Sequence, residues 1–152
     1  MMKIASRVRD QDGAALIIDY GHVRSDAGDT FQAIARHSFT DPLKNPGQAD
    51  VTAHVDFEAL SRAAEDIGAR VHGPVTQGQF LRRLGIETRA ETLMTKASPE
   101  VSEDISSAMK RLVGGGRGGM GSMFKVLAVS EPHLAGLAGF EETANDGADD
   151  TP

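Results

Sequence analysis

A run of five apolar residues at positions 14–18 limits the folds that are open to this chain. A continuous run of this kind is typical of a strand buried on both faces, as in a parallel sheet that is covered by helices. The run ends abruptly in Asp19, Tyr20, Gly21 and His22. In open α/β sheets, ligands bind just beyond the carboxyl ends of the strands, so the position of these polar residues predicts a crevice.

The remaining local patterns predict helices and further strands around this run. A capping box at Thr76 and Gln79 predicts the start of a helix that stops at Gly85, and Ser98 with Pro99 predicts another that ends at Gly114. The further predictions are a short helix over 30–37 capped by Asp29, an irregular loop over 38–54, a helix over 56–67, strands over 69–75 and 123–129, and a buried helix side formed by Val101, Ile105, Met109 and Leu112.

The order of strands and helices predicts an α/β fold with only three strong strand candidates. One edge of the first strand is then left without neighbours, which natural sheets normally avoid. We therefore expect the chain to form the back half of a larger sheet. Residues 1–140 are expected to form the domain, and residues 141–152 a solvated acidic tail.

Composition excludes several classes of protein. The formal net charge is −6, of which the tail contributes five acidic residues and no basic one, so the body is nearly neutral and has no basic surface for nucleic acid. Cysteine is absent, which removes disulfide and thiol chemistry. No apolar run approaches the length of a membrane span, and we expect no membrane insertion.

The polar residues at 19–22 have two interpretations. In the functional one, Asp19 and Tyr20, the sole tyrosine of the chain, face a ligand crevice while Gly21 allows the backbone to turn. In the structural one, Asp19 caps a turn and Tyr20 packs at the rim of the sheet. The residues alone leave both open.

Two other sets of residues invite a functional interpretation that their spacing does not favour. His22, His37 and His54, with Asp50 and Asp56, are residue types that zinc or a two-metal hydrolase uses, yet their spacing shows no metal-binding motif. Hydrogen-bonded loop residues are the favoured interpretation. The glycine-rich segment 114–121 follows a helix and precedes a strand, the reverse of a phosphate-binding loop, and is expected to be a flexible connection.

Several phrases, taken in order, resemble a known family. They are GAALIIDYGH, DTFQAIARHSFTDPLKNPGQADVTAHVDF, GPVTQGQFLRRLGI, RLVGGGRGGMGSMFKVLAV and LAGF. Together they resemble the C-terminal part of the MidA-like methyltransferases, class I enzymes that depend on S-adenosylmethionine (SAM). The mitochondrial members of this family act as complex I assembly factors and methylate an arginine of a complex I subunit. The resemblance runs from about residue 13 to residue 140.

The resemblance implies a fold and a cofactor. The first strand corresponds to the fifth of a seven-stranded, Rossmann-like sheet, and the strand at 123–129 to one of the last pair, which includes the antiparallel strand. In the family a glycine-rich turn after the first strand of the sheet, and an acid after the second, hold SAM. Neither feature occurs in this sequence, so we expect this chain alone to bind no SAM and to be inactive.

The resemblance also assigns residues and partners. It implies a catalytic role for Asp19 and Tyr20. The positions that it assigns to binding of the substrate are Gly21, His22, His37, Asp50, Thr52, His54, Asp56 and Gln77. The expected partners are a protein substrate, such as a complex I subunit, and the missing N-terminal half. The expected location is the cytoplasm, or the mitochondrion for a longer precursor. The alternatives are a non-catalytic substrate-docking module and the metal-dependent hydrolase.

Overall fold

The computed structural model of the chain describes residues 1–36, 38–116 and 119–141. It confirms the α/β class, with helices and strands distributed along the whole described chain. The helices are α1 (Met2–Asp10), α2 (Phe57–Glu65), α3 (Gln77–Arg83), α4 (Ile86–Met94) and α5 (Pro99–Val113). The strands are β1 (Ala14–His22), β2 (Gln32–Ala35), β3 (Ser38–Thr40), β4 (Asp50–Thr52), β5 (Val55–Asp56), β6 (Arg70–Thr76) and β7 (Phe124–Ser130).

The main sheet has four strands in the order β5-β1-β7-β6. Strand β7 lies in the middle and runs antiparallel to both β1 and β6, which are therefore parallel to each other. Strand β5 joins the outer side of β1 in parallel, but only through Gly21 and His22. The carboxyl ends of β1 and β6 consequently lie at one edge of the sheet, where the sequence predicts the crevice. The antiparallel place of β7 agrees with the resemblance.

Helices α1 and α2 cover one face of this sheet. Buried side chains on that side include Ala5, Phe57 and Leu127. The other face of β1 is open, because Leu16 is 51% exposed and Ile18 is 46% exposed. The expectation that this strand is buried on both faces is therefore wrong for the chain as folded here.

The predicted helix signals at the ends of α3 and α5 are confirmed. Thr76 and Gln79 form the capping box at the start of α3, Ser98 caps α5, and Gly114 ends α5. The sequence patterns did not predict α1 or α4. Val101 is 48% exposed, so its predicted place on the buried side of α5 is wrong.

The expected helix at 30–37 and the loop at 38–54 are both wrong. Strand β2 pairs with β3 on one side and with β4 on the other, in an antiparallel sheet of order β3-β2-β4. An isolated helix of two turns forms too few hydrogen bonds to offset the entropy that its nucleation costs. Backbone hydrogen bonds to two neighbouring strands instead satisfy the same peptide groups.

Three glycines of the 114–121 segment, Gly114, Gly119 and Gly121, pack tightly against neighbouring backbone, whereas a Cβ at Gly116 would meet nothing within 4 Å. The Gly78 amide donates to the Gly121 carbonyl over 2.9 Å, and the Gly121 amide donates to the Gly114 carbonyl over 2.8 Å. A Cβ at Gly78 would lie 2.8 Å from the Val113 carbonyl oxygen, so the backbones approach too closely for a side chain. Residues 117, 118 and 142–152, the last being most of the expected tail, lie outside the described residues.

None of the helices in the described ranges combines the length and apolar character that crossing a membrane requires.

Candidate functional site

The carboxyl end of β1 anchors both ends of a long insertion. The chain leaves the main sheet after His22 and returns at β5, where Val55 pairs with Gly21 and Asp56 pairs with His22. The insertion between them carries the β3-β2-β4 sheet. The predicted crevice is thus bordered by residues 19–22 and by the start of α2, and the small sheet is joined to both through the chain on either side of it.

Gly21 is required where β1 and β5 meet. A Cβ at this position would lie 2.5 Å from Phe57 Cε2 and closer still to the Val55 carbonyl oxygen. Phe57 is fully buried as the first residue of α2. The glycine therefore serves close packing here, and not a left-handed turn.

Asp19 and Tyr20 lie on opposite faces of the sheet, because consecutive strand residues alternate in direction. Asp19 pairs across the strands with Lys125 on the side that α1 and α2 cover, and its Oδ1 accepts from the Tyr20 amide over 2.8 Å. Tyr20 packs on Phe124 with ring centroids 4.1 Å apart. The two side chains therefore approach the strand end from different sides and do not form one cluster.

The loop that follows β1 is fastened to the start of α2 through Ser25. Its hydroxyl donates to Asp56 Oδ2 over 2.7 Å, and its amide donates to Glu58 Oε2 over 2.6 Å. Asp56 also caps α2, since its Oδ1 accepts from the Ala59 amide over 3.0 Å. Asp56 therefore holds the loop and the helix together.

These hydrogen bonds favour the charged carboxylates. The Ala59 amide and then the Ser25 hydroxyl lower the pKa of Asp56, with a further contribution from nearby His22. The Ser25 amide lowers the pKa of Glu58, and the charge of Arg62 adds to the effect. Both residues are half-buried and in contact with solvent, which screens their charges. They remain anionic at neutral pH and give this border of the crevice a negative charge.

The other predicted site residues are spread over the insertion. Asp50 and Thr52 lie on β4, opposite Ile34 and Gln32 of β2. The His54 amide donates to Thr30 Oγ1 over 3.1 Å. His22 contacts the Arg24 carbonyl through Nδ1 at 2.6 Å.

The histidines do not form a metal site within the part of the chain that the structure describes. No three His, Asp or Glu side chains there are grouped so as to hold an ion. His37 lies outside the described residues. His22, the last residue of β1, bonds instead to the carbonyl of Arg24 in the loop that follows.

Gln77 lies at the carboxyl end of β6, at the same edge of the sheet. Its Nε2 donates to the Leu112 carbonyl over 2.8 Å, and Arg82 Nη2 donates to the Val113 carbonyl over 3.2 Å. Both bonds satisfy carbonyls in the last turn of α5, which have no partner within the helix. This amide therefore fastens α5 to the sheet edge.

Sequence reasoning missed Ser25 and Glu58. Aspartate is a favoured residue immediately before a helix, so the capping role of Asp56 can be predicted from the local sequence. Ser25 and Glu58 are 33 positions apart and meet only because β5 returns beside β1. No local signal marks such a contact.

The chain is similar to known methyltransferases. Residues 1–75 match a family described as "Putative S-adenosyl-L-methionine-dependent methyltransferase". The chain is 44% identical over 134 residues to the mitochondrial protein arginine methyltransferase NDUFAF7 homolog of Drosophila melanogaster, covering 87% of this chain and 30% of that protein. It is 32% identical over 160 residues to mitochondrial protein arginine methyltransferase NDUFAF7 of Homo sapiens, covering 93% of this chain and 35% of that protein.

A solved structure shows the same fold. A Burkholderia thailandensis protein, crystallised with S-adenosyl-homocysteine, matches with a TM-score of 0.63 and 29% identity. The match covers 91% of this chain and 36% of that protein. The chain thus spans about a third of the length of these relatives.

Proposed function

The chain belongs to the MidA-like family of SAM-dependent methyltransferases, and on that premise we propose that it forms the substrate side of a protein arginine methyltransferase. The observation that carries the proposal is the edge of the sheet at which the parallel strands β1 and β6 both end. Polar residues 19–22 lie at that edge, where open α/β sheets bind ligands. A complex I subunit is the substrate that the family resemblance favours.

The residues of this chain do not fit the role of holding SAM by themselves. The sequence contains no glycine-rich turn between a strand and a helix, and the glycine-rich segment before β7 follows a helix. We therefore place the cofactor against residues that the longer family members have and this sequence does not contain. This chain then provides one wall of the crevice.

The role of this wall is to hold the incoming guanidinium group. A carboxylate beside the guanidinium orients it and offsets its charge, which is the catalytic requirement that a polar side chain can meet here. We assign this role to Asp19, at the strand end, and assign to Tyr20 the support of the crevice from the opposite face. Asp56 is occupied by Ser25 and Ala59, so its part is to position the loop.

Exchange of Asp19 tests the assignment. In a full-length relative that has the Asp-Tyr-Gly sequence of residues 19–21, we expect Asp19→Asn to lower kcat for protein methylation by about tenfold to a hundredfold. The readout is transfer of labelled methyl groups to the protein substrate. The matched control is Asp66→Asn, an exposed aspartate at the end of α2. Unchanged methylation by the Asp19 variant would remove this residue from the catalytic set.

Titration of the purified chain with SAM tests the assignment of the cofactor. A ligand held on one side loses most of the burial that a formed pocket provides, so we expect no heat of binding at micromolar concentrations. Saturable binding in the calorimeter would place a cofactor site within these residues and contradict the proposal.

The docking-module alternative is favoured by the same lack of a SAM motif in the sequence. An experiment that distinguishes the docking module from the enzyme adds the N-terminal part of a relative to this chain as a separate polypeptide. Restored methylation of a protein substrate supports the enzyme. Binding of the substrate without methylation, although the two parts associate, supports the module.

A further inference from the structure

The small β3-β2-β4 sheet is held close to the proposed methyl-transfer edge. Thr52, the last residue of β4, is three positions from Val55, which pairs with Gly21. An extended chain spans at most about 3.6 Å per residue, so these two residues lie within roughly 11 Å of each other. The His54 amide further ties this connection to Thr30. The sheet therefore stands beside the crevice.

One face of the small sheet presents an apolar and acidic row of side chains. Ile34 pairs with Phe39 on one side and with Asp50 on the other. Paired residues of adjacent strands lie on the same face, so the three side chains form a row across the sheet. Phe39 is 76% exposed and Ile34 is 36% exposed. Two exposed apolar side chains side by side on one face are a candidate interaction surface.

We propose that this row, Ile34, Phe39 and Asp50, docks the protein substrate through an apolar residue that lies close in sequence to the target arginine. Phe39 and Ile34 provide the apolar contact, and the carboxylate of Asp50 complements the positive charge of an arginine-containing segment. The inference rests on the proposed function, because that function supplies the arginine. It adds the place and the chemistry of substrate recognition.

The geometry limits the spacing between the two parts of the substrate. Asp50 is five positions from Val55, which pairs with Gly21, and Phe39 lies two strands beyond Asp50 in the small sheet. Phe39 therefore lies within roughly 33 Å of the strand end at Gly21. An extended peptide advances about 3.3 Å per residue, so the apolar residue lies within about ten positions of the arginine. Substrates with the apolar residue much further away must loop, and they bind more weakly.

Peptide binding to the isotopically labelled chain tests the proposal. The probes are Gly/Ser-based peptides with one arginine and one leucine about four positions away, and NMR chemical shifts are followed during titration. We expect the largest shifts at Phe39, Ile34 and Asp50. Phe39→Ser is expected to weaken binding about tenfold, and Asp50→Asn about threefold. A peptide with neutral citrulline in place of arginine is expected to bind the unmodified chain more weakly than the arginine peptide does.

The controls separate docking from folding. Val101→Ser removes an exposed apolar side chain from α5, and Asp104→Asn removes an exposed carboxylate from the same helix. Both are expected to bind the peptides normally. Asp50→Asn keeps the shape of the side chain, so it tests the surface even if Phe39→Ser disturbs the small sheet. Absence of binding, shifts centred elsewhere such as on Leu16, or equal affinity of the variants would overturn the proposal.

A second readout distinguishes this inference from the proposed function. The Phe39 and Asp50 exchanges are introduced into a full-length relative with the same residues, and methylation of the protein substrate is measured. A raised KM at unchanged kcat supports docking. Unchanged KM and kcat overturn the docking surface and leave the methyltransferase function standing. Absence of protein methylation by the unmodified relative overturns the function itself.

Discussion

Substitution of Gly21 by alanine tests the close approach of β1 and α2. The new Cβ would lie 2.5 Å from Phe57 Cε2, about 1 Å inside ordinary van der Waals contact. Neither neighbour can move easily. The Val55 carbonyl is part of the backbone of β5, and the Phe57 side chain is fully buried. Overpacking of this kind costs about 2–3 kcal/mol of the free energy of unfolding. For a chain of 152 residues, that lowers the thermal midpoint by about 4–12 °C.

Circular dichroism during heating and urea unfolding measure this loss. Gly28→Ala is the matched control, since a Cβ at Gly28 meets nothing within 4 Å, and its midpoint is expected to stay within about 2 °C of the original. In the double variant Gly21→Ala/Phe57→Leu, the smaller side chain at position 57 relieves part of the overlap. The double variant is therefore expected to lose less free energy of unfolding than the sum of the losses in the two single variants. Additive costs, or an unchanged midpoint for Gly21→Ala, would refute the packing argument.

Three further outcomes are expected. Burial, and secondarily the charge of Arg70, lowers the pKa of His72 below its ordinary value near 6.5, so the folded chain binds its proton less readily than the unfolded chain. The resulting stability is complete above about pH 6.5 and falls as the pH decreases below it. A wild-type midpoint that does not fall on acidification, or an equal fall in His72→Asn, would contradict this. Gln77→Leu removes the bond to the α5 carbonyl and lowers the free energy of unfolding by about 1 kcal/mol in urea titrations, and no change would exclude the helix-fastening role. Leu16→Lys, at a half-exposed position on the open face of β1, is expected to reduce self-association in light scattering while changing the unfolding free energy by less than about 0.5 kcal/mol.

The features that were predicted correctly depend on short stretches of chain. The capping box at Thr76, the Ser98-Pro99 start of α5 and its end at Gly114 all involve neighbours within a few residues. The strand β7 also follows from its own apolar run. The residues at the end of β1 were located for a similar reason, because an apolar run that stops in polar residues marks a strand end. Their chemical roles remain predictions.

The features that were predicted wrongly depend on pairing between distant segments. Residues 32–35 form a strand because β3 and β4 flank them, and no signal within those residues distinguishes this from a short helix. Gly78 and Gly121 meet across more than forty positions, which fixes the end of the glycine-rich segment against α3. Ser25 likewise finds Asp56 only after β5 returns beside β1.

The sequence by itself determined the α/β class, the caps of α3 and α5, and the place of the polar strand end. These are set by local backbone preferences and by the period of apolar residues, which act within a few positions. Tertiary structure alone decided that β7 separates β1 from β6, that one face of β1 is open, and that the Ile34, Phe39 and Asp50 side chains share one face of the small sheet. The reason is physical: a strand satisfies its peptide groups through partners elsewhere in the chain, and the choice of partner sets which side chains meet.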